Sequence, residues 1–133
     1  MKINQESNKA ETLKLNMGST DSLHPAFCFR YLHNDYDIDK LLLAEDKSIK
    51  SFLSKLNNLS KITWQEIIRS SRYKNGTEII SSNQLKKPLP KEITLDMNIL
   101  VFHLQDLFRL IGVRDGKVFY ALFVDINGEL YNH

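Results

Sequence analysis

Three runs near the C-terminus constrain the fold most: NILVFHL (residues 98–104), FRLIGV (108–113) and KVFYALFVD (117–125). Each has strand length and is rich in β-branched and aromatic residues, which favour a pleated surface. The turns between them, at Gln105-Asp106 and Arg114-Asp115-Gly116, are short, and an Asp-Gly pair tolerates the positive φ of a tight hairpin. A consecutive antiparallel meander is expected. ELYN (129–132), after the Asn127-Gly128 turn, would extend it to a fourth strand.

The upstream half reads differently. AFCFRYL (26–32) alternates Phe27, Phe29 and Tyr31, the pattern of a strand with one packed face. YDIDKLL (36–42) fits either a second short strand or a loop into a helix. From Glu45 to Leu59, Ile49, Phe52, Leu53, Leu56 and Leu59 form one apolar stripe, with Lys47, Lys50 and Lys55 outside it and two acids in the first turn. A second helix is announced by Thr63-x-x-Glu66, a capping box, with Trp64, Ile67 and Ile68 as its buried side. It should end near Ser70 or Ser71, ahead of the Asn75-Gly76 turn. KKPLPKE (86–92) is a further break, because Pro88 and Pro90 lack amide donors. The predicted fold is α+β: two helices packed on one face of a mostly antiparallel sheet of four or five strands, in the order strand, helix, helix, strand, strand, strand. One domain is expected over residues 24–133, preceded by a mobile polar extension over residues 1–23.

Apolar residues at 42% and charged residues at 26% speak against global disorder. No apolar run approaches a membrane span, and the N-terminus lacks the apolar core of a secretory signal, so a cytoplasmic location is the default expectation. Cys28 is the only cysteine and cannot form an internal disulfide; in its apolar run it reads as a small core residue. With one cysteine and four scattered histidines, a zinc site of the usual spacing is missing.

Net charge is only +2, but it is segregated. Residues 47–91 carry ten Lys or Arg against Glu66 and Glu78, a local balance of +8, and the remaining eight basic and fourteen acidic residues sum to −6. A basic middle favours an anionic partner through counterion release and steering, although a solvated Lys-rich helix face gives the same pattern.

No phosphate-binding Gly loop, HExxH or GxSxG occurs, so any catalysis must use dispersed residues. Arg109 shares a strand face with Ile111 and Val113. It is either paired with an acid or exposed on an open sheet face, where a guanidinium can clamp a phosphate. His103 lies on that face or the opposite one, depending on register. Glu78 is a base held among cations or a salt-bridge partner of Arg72 or Lys74. Tyr131 and His133, beyond the last turn, can reach over the sheet, and a histidine can serve as general acid near neutral pH.

The order of elements, the basic helices, the Gly76-x-Glu78 segment, FRLIGVRDGKVFYALFVD and the C-terminal Tyr/His together resemble the RelE/ParE superfamily of bacterial toxins, in particular the RelE/YoeB-like messenger-RNA interferases. The resemblance covers residues 27–133. It implies an endoribonuclease of a toxin-antitoxin system that cleaves ribosome-bound messenger RNA and inhibits translation by metal-independent 2′-hydroxyl attack, which needs no cofactor. Arg109 would hold the scissile phosphate, Glu78 would take the 2′-hydroxyl proton, and His133 and Tyr131 would supply the acid and the stacking ring. Lys47, Lys50, Lys55, Lys61, Arg69, Arg72, Lys74 and Arg114 would contact RNA, and a cognate antitoxin protein would be the partner. Gly112 stands where that family often has an aromatic.

The alternative is a non-catalytic RNA- or protein-binding module of the same fold, including a gyrase-directed ParE-like toxin. A third possibility is a protein whose sheet forms a homodimer through the Phe119/Phe123 face.

Overall fold

The computed structural model describes residues 19–94 and 97–132 of the chain. Most of the expected N-terminal extension, residues 1–18, and His133 lie outside the described residues. In chain order the elements are β1 (Ala26–Cys28), α1 (Ile38–Leu42), α2 (Asp46–Ser60), α3 (Trp64–Arg69), β2 (Thr77–Ile80), β3 (Ile99–His103), β4 (Arg109–Asp115) and β5 (Val118–Asp125). They form a five-stranded sheet in the order β1-β5-β4-β3-β2. Three neighbouring pairs are antiparallel, and β1 runs parallel to β5. The α+β arrangement is therefore present as a mixed sheet with helices packed on it.

α2 occupies nearly its expected span, burying Phe52 and Leu59 with Ile49 and Leu56 packed beside them. The capping box of α3 is formed in both directions: Thr63 Oγ1 accepts the Glu66 amide (3.2 Å), and Glu66 Oε1 accepts the Thr63 amide (3.1 Å). Two expected core positions turn outward, Leu53 and Ile68, at 59% and 57% exposure. The apolar stripes are narrower than their sequence spacing implied. YDIDKLL resolves as the short helix α1, capped by the Asp37 carboxylate.

Three further expectations are corrected. TEII, between the Asn75-Gly76 turn and KKPLPKE, is the edge strand β2, an element absent from the expected order. The ELYN segment is not a strand. The second sheet face, which the alternative of an exposed Arg109 required to be open, is covered. Leu100, Phe102 and Leu110 pack against the helices, while Ile99, Val101, Ile111 and Val113 pack on the other side against Ile80, Ile93, Leu130 and Tyr131. The reason lies in the runs themselves: both parities of NILVFHL and FRLIGV are apolar, and a strand apolar on both faces has to be buried on both. Coil from residues 81–94 and from the C-terminus forms the second cover, tied together by the Lys86 amide on the Leu130 carbonyl (2.8 Å).

The packed body also reaches back before His24. Arg114 stacks its guanidinium over Trp64 (4.3 Å) and donates to Thr20 Oγ1 (3.0 Å) and Asp21 Oδ1 (2.7 Å), fastening the 3-10 turn Thr20–Ser22 to the end of the sheet.

Candidate functional site

Register decides which side chains meet. Glu78 pairs with Val101 across β2 and β3, and Arg109 pairs with His103 across β3 and β4. Cross-strand partners point to the same face and residues two apart share it, so Glu78, His103 and Arg109 lie together at one end of the non-helical face. The C-terminal segment adds Tyr131. It is brought there by Asp125, a fully buried carboxylate that accepts the amides of Glu129 (3.1 Å) and Leu130 (3.0 Å) and so holds the turn after β5. Gly128 takes φ 63° in that turn, a conformation costly for any side chain with a Cβ.

Glu78 is the hub. Its Oε1 accepts from both the Tyr131 hydroxyl (2.9 Å) and His103 Nε2 (2.9 Å). Its Oε2 faces Arg72 Nη1 at 3.7 Å. Burial alone would raise the Glu78 pKa, but the hydrogen bonds from Tyr131 and His103 and the charges of His103 and Arg72 outweigh it, and the group lies below its ordinary value. Burial lowers the His103 pKa, with Arg109 and Arg72 acting the same way and Glu78 opposing. At neutral pH the site therefore holds a carboxylate and a neutral imidazole. Because a carboxylate only accepts, the His103 proton sits on Nε2. The Tyr131 phenol is pushed up to about 12 by burial and by Glu78, against the influence of Arg109.

The sequence-selected residues are partly united. Glu78 and Tyr131, 53 positions apart, share a hydrogen bond, and Arg109 lies close enough to act on the same phenol. Arg109 is not on an open face. It is only 8% exposed and its Nη1 donates to the carbonyls of Asp106 (2.7 Å) and Phe108 (3.1 Å), closing the β3–β4 turn, in which Asp106 takes φ 53°. Tyr131, at 1% exposure, cannot offer a ring face to a ligand in this conformation. His133 lies outside the described residues, and the histidine found beside Glu78 is His103. Register, which single-strand patterning leaves open, is what placed it.

Among the basic residues, Lys47, Lys50, Lys61, Arg69, Arg72 and Lys74 are exposed. Lys47 is within 3.9 Å of Asp106. Lys55 is half buried, which lowers its pKa, and its Nζ donates to the Lys74 carbonyl. Arg114 is committed inward, as described above. Sequence reasoning missed Tyr73, whose ring makes a T-shaped contact with His103 (centroids 5.9 Å apart) and is held by Arg72, and its only signal was its place in RYKNG. Among the described residues, no three His, Cys, Asp or Glu side chains converge as a metal site, and no helix is long and apolar enough to cross a membrane. Comparison with protein-family models, with curated proteins and with solved structures found no match in any of the three.

The site fixes a pH dependence of stability. His103 and Glu78 both have folded pKa values below their ordinary ones, so the unfolded chain binds more protons as pH falls and stability is lost, first below pH 6.5 and then through the carboxylate range. Asp125, raised by burial, opposes this at the acid end. On the alkaline side the native state keeps the Tyr131 proton that the unfolded chain releases from pH 10, so stability falls between pH 10 and about 12. Urea midpoints measured across pH should fall on both flanks, and Tyr131→Phe should shrink the alkaline limb. An unchanged alkaline limb in that variant would contradict the assignment.

Proposed function

We propose that this chain is a RelE/ParE-type endoribonuclease that cleaves messenger RNA at the ribosome and is held in check by a small antitoxin protein. The observation that carries the reading is the geometry of Glu78. Two donors on Oε1 fix the carboxylate, and its lowered pKa keeps it ionised, leaving Oε2 turned toward Arg72 and available to accept a proton. In this reading Oε2 takes the proton of a ribose 2′-hydroxyl. The 2′-oxygen attacks the adjacent phosphorus, a 2′,3′-cyclic phosphate forms, and the P–O5′ bond breaks. The 5′-oxygen leaves with a proton, for which the sequence reading nominates His133. Arg72, with its side chain 46% exposed, is better placed than Arg109 to meet the phosphate and offset the charge that develops on it. Arg109 supports the site from beneath, through the β3–β4 turn and Tyr131.

The second reading, a non-catalytic module of the same fold, is favoured by the burial of Arg109. One experiment separates the two. After tightly controlled induction, growth and messenger-RNA ends are compared for the wild type, Glu78→Gln and Arg72→Ala, with folding checked by circular dichroism. Arrest with new ends in the wild type, and a loss of cleavage of roughly 10²–10⁴-fold in folded Glu78→Gln, are expected. Intact messages in wild-type cells, or undiminished cleavage by Glu78→Gln, would sink the ribonuclease.

A further inference from the structure

The loop between α3 and β2 holds an aromatic ring where a buried one would be ordinary. Tyr73 is 75% exposed, whereas every other described Phe, Tyr or Trp is buried or half-buried. Tyrosine, apolar in its ring and polar at its hydroxyl, is enriched where a surface meets a ligand or partner. Tyr73 is also held in place. The Arg72 guanidinium lies over it at 4.8 Å and donates from Nη2 to its hydroxyl (2.6 Å), and the ring meets His103 in a T-shaped contact.

The loop beneath it is built to be stiff. The amides of Lys74 and Gly76 both donate to the Ser71 carbonyl (3.0 and 2.9 Å), and Lys55 reaches across from α2 to the Lys74 carbonyl. A Cβ on residue 76 would lie 2.3 Å from the Ser70 carbonyl oxygen, so only glycine permits this close packing. Exposed on the same short segment are Arg69, Arg72 and Lys74. A fixed ring amid cations suits a single-stranded nucleic acid: the charges meet the backbone and the ring meets a base, whatever its sequence.

We propose that Tyr73 is the platform on which an unpaired nucleobase of the substrate stacks, with Arg72 binding the neighbouring phosphate. The inference rests on the ribonucleolytic reading of the Glu78 site for the identity of its ligand, and it gives the stacking role to Tyr73 in place of the buried Tyr131. It also defines the substrate as flexible single-stranded RNA, since a paired base cannot leave its stack to reach the ring. The base lies one side chain away from His103 and Glu78, which sets the adjoining ribose beside the carboxylate.

The test uses the full chain and a fluorescent pentanucleotide with 2′-O-methyl sugars, which cannot be cleaved, together with a set carrying one abasic position each. Binding is read by anisotropy for the wild type, Tyr73→Phe and Tyr73→Ala. Stacking predicts that Tyr73→Ala weakens binding by about 5- to 150-fold while Tyr73→Phe stays close to wild type. One abasic position should cost the wild type as much as Tyr73→Ala and cost that variant nothing more. Equal affinity of Tyr73→Ala and wild type, a loss independent of the abasic position, or no binding by the wild type overturns the platform. The two proposals fail separately. Base-dependent binding through Tyr73 with no cleavage of the all-ribose oligonucleotide or of cellular messages leaves the platform standing and removes the nuclease. Cleavage that Tyr73→Ala does not slow removes the platform alone.

Discussion

Gly112→Ala should cost the protein about 3 kcal/mol or more and lower its melting temperature by roughly 10 °C or more, among the largest effects available to a single methyl group. Gly112 lies in β4 where the register with β5 shifts. Ile111 pairs with Phe123 but Gly112 pairs with Ala121, so Leu122 bulges out between them. The bulge brings the strands together so closely that a Cβ at position 112 would sit 2.2 Å from the Tyr120 carbonyl oxygen and 2.6 Å from the Phe119 ring. Neither neighbour can give way. The first is backbone, and Phe119 is fully buried against Phe102. A larger side chain, such as the aromatic that the RelE-type resemblance would lead one to expect at position 112, has no room in this sheet. A thermal melt decides the matter, and a Gly112→Ala protein as stable as wild type would mean that β4 and β5 do not approach this closely at the bulge.

Arg109→Ala should also destabilise by about 3 kcal/mol, which changes how its functional test has to be read. Its removal takes a donor from the carbonyls of Asp106 and Phe108 and empties the space of a buried side chain at the end of the sheet. Loss of activity in this variant would therefore accompany loss of fold. Its Nε is buried without a hydrogen-bond partner, so the change also removes an unsatisfied donor, which offsets part of that cost. Arg72 is the informative contrast. Its side chain is 46% exposed and it bonds only at the rim, so Arg72→Ala should melt near wild type. Denaturant midpoints for the two variants side by side provide the check. A fully stable Arg109→Ala would show that the guanidinium is dispensable to the turn and would restore it as a candidate phosphate clamp.

The local elements were legible where one stretch of chain contained its own reason. α2 follows from the apolar stripe of residues 49–59, the start of α3 from a capping box that closes within four residues, and β3 to β5 from β-branched runs between turns. What failed depended on distant partners. The edge strand β2 has only four residues and no strand period of its own; it exists because β3 offers it a ladder. The parallel pairing of β1 and the cover on the second face depend on how the chain returns. The twofold apolar parity of FRLIGV did contain the warning that no face would stay open.

The candidate site divides in the same way. The sequence by itself determined the chemical inventory, namely a glutamate after a glycine in a basic stretch, a strand arginine and a C-terminal tyrosine, because residue identity and charge segregation are properties of the chain. Only the tertiary structure decided their roles. Strand register set His103 beside Glu78, the buried Asp125 turn folded Tyr131 onto the carboxylate, and closure of the β3–β4 turn drew Arg109 inside while the loop after α3 left Arg72 and Tyr73 in the solvent. Neighbours 25 to 53 residues apart are chosen by which ladder and which face lower the free energy of the whole sheet, and no window of sequence contains that sum.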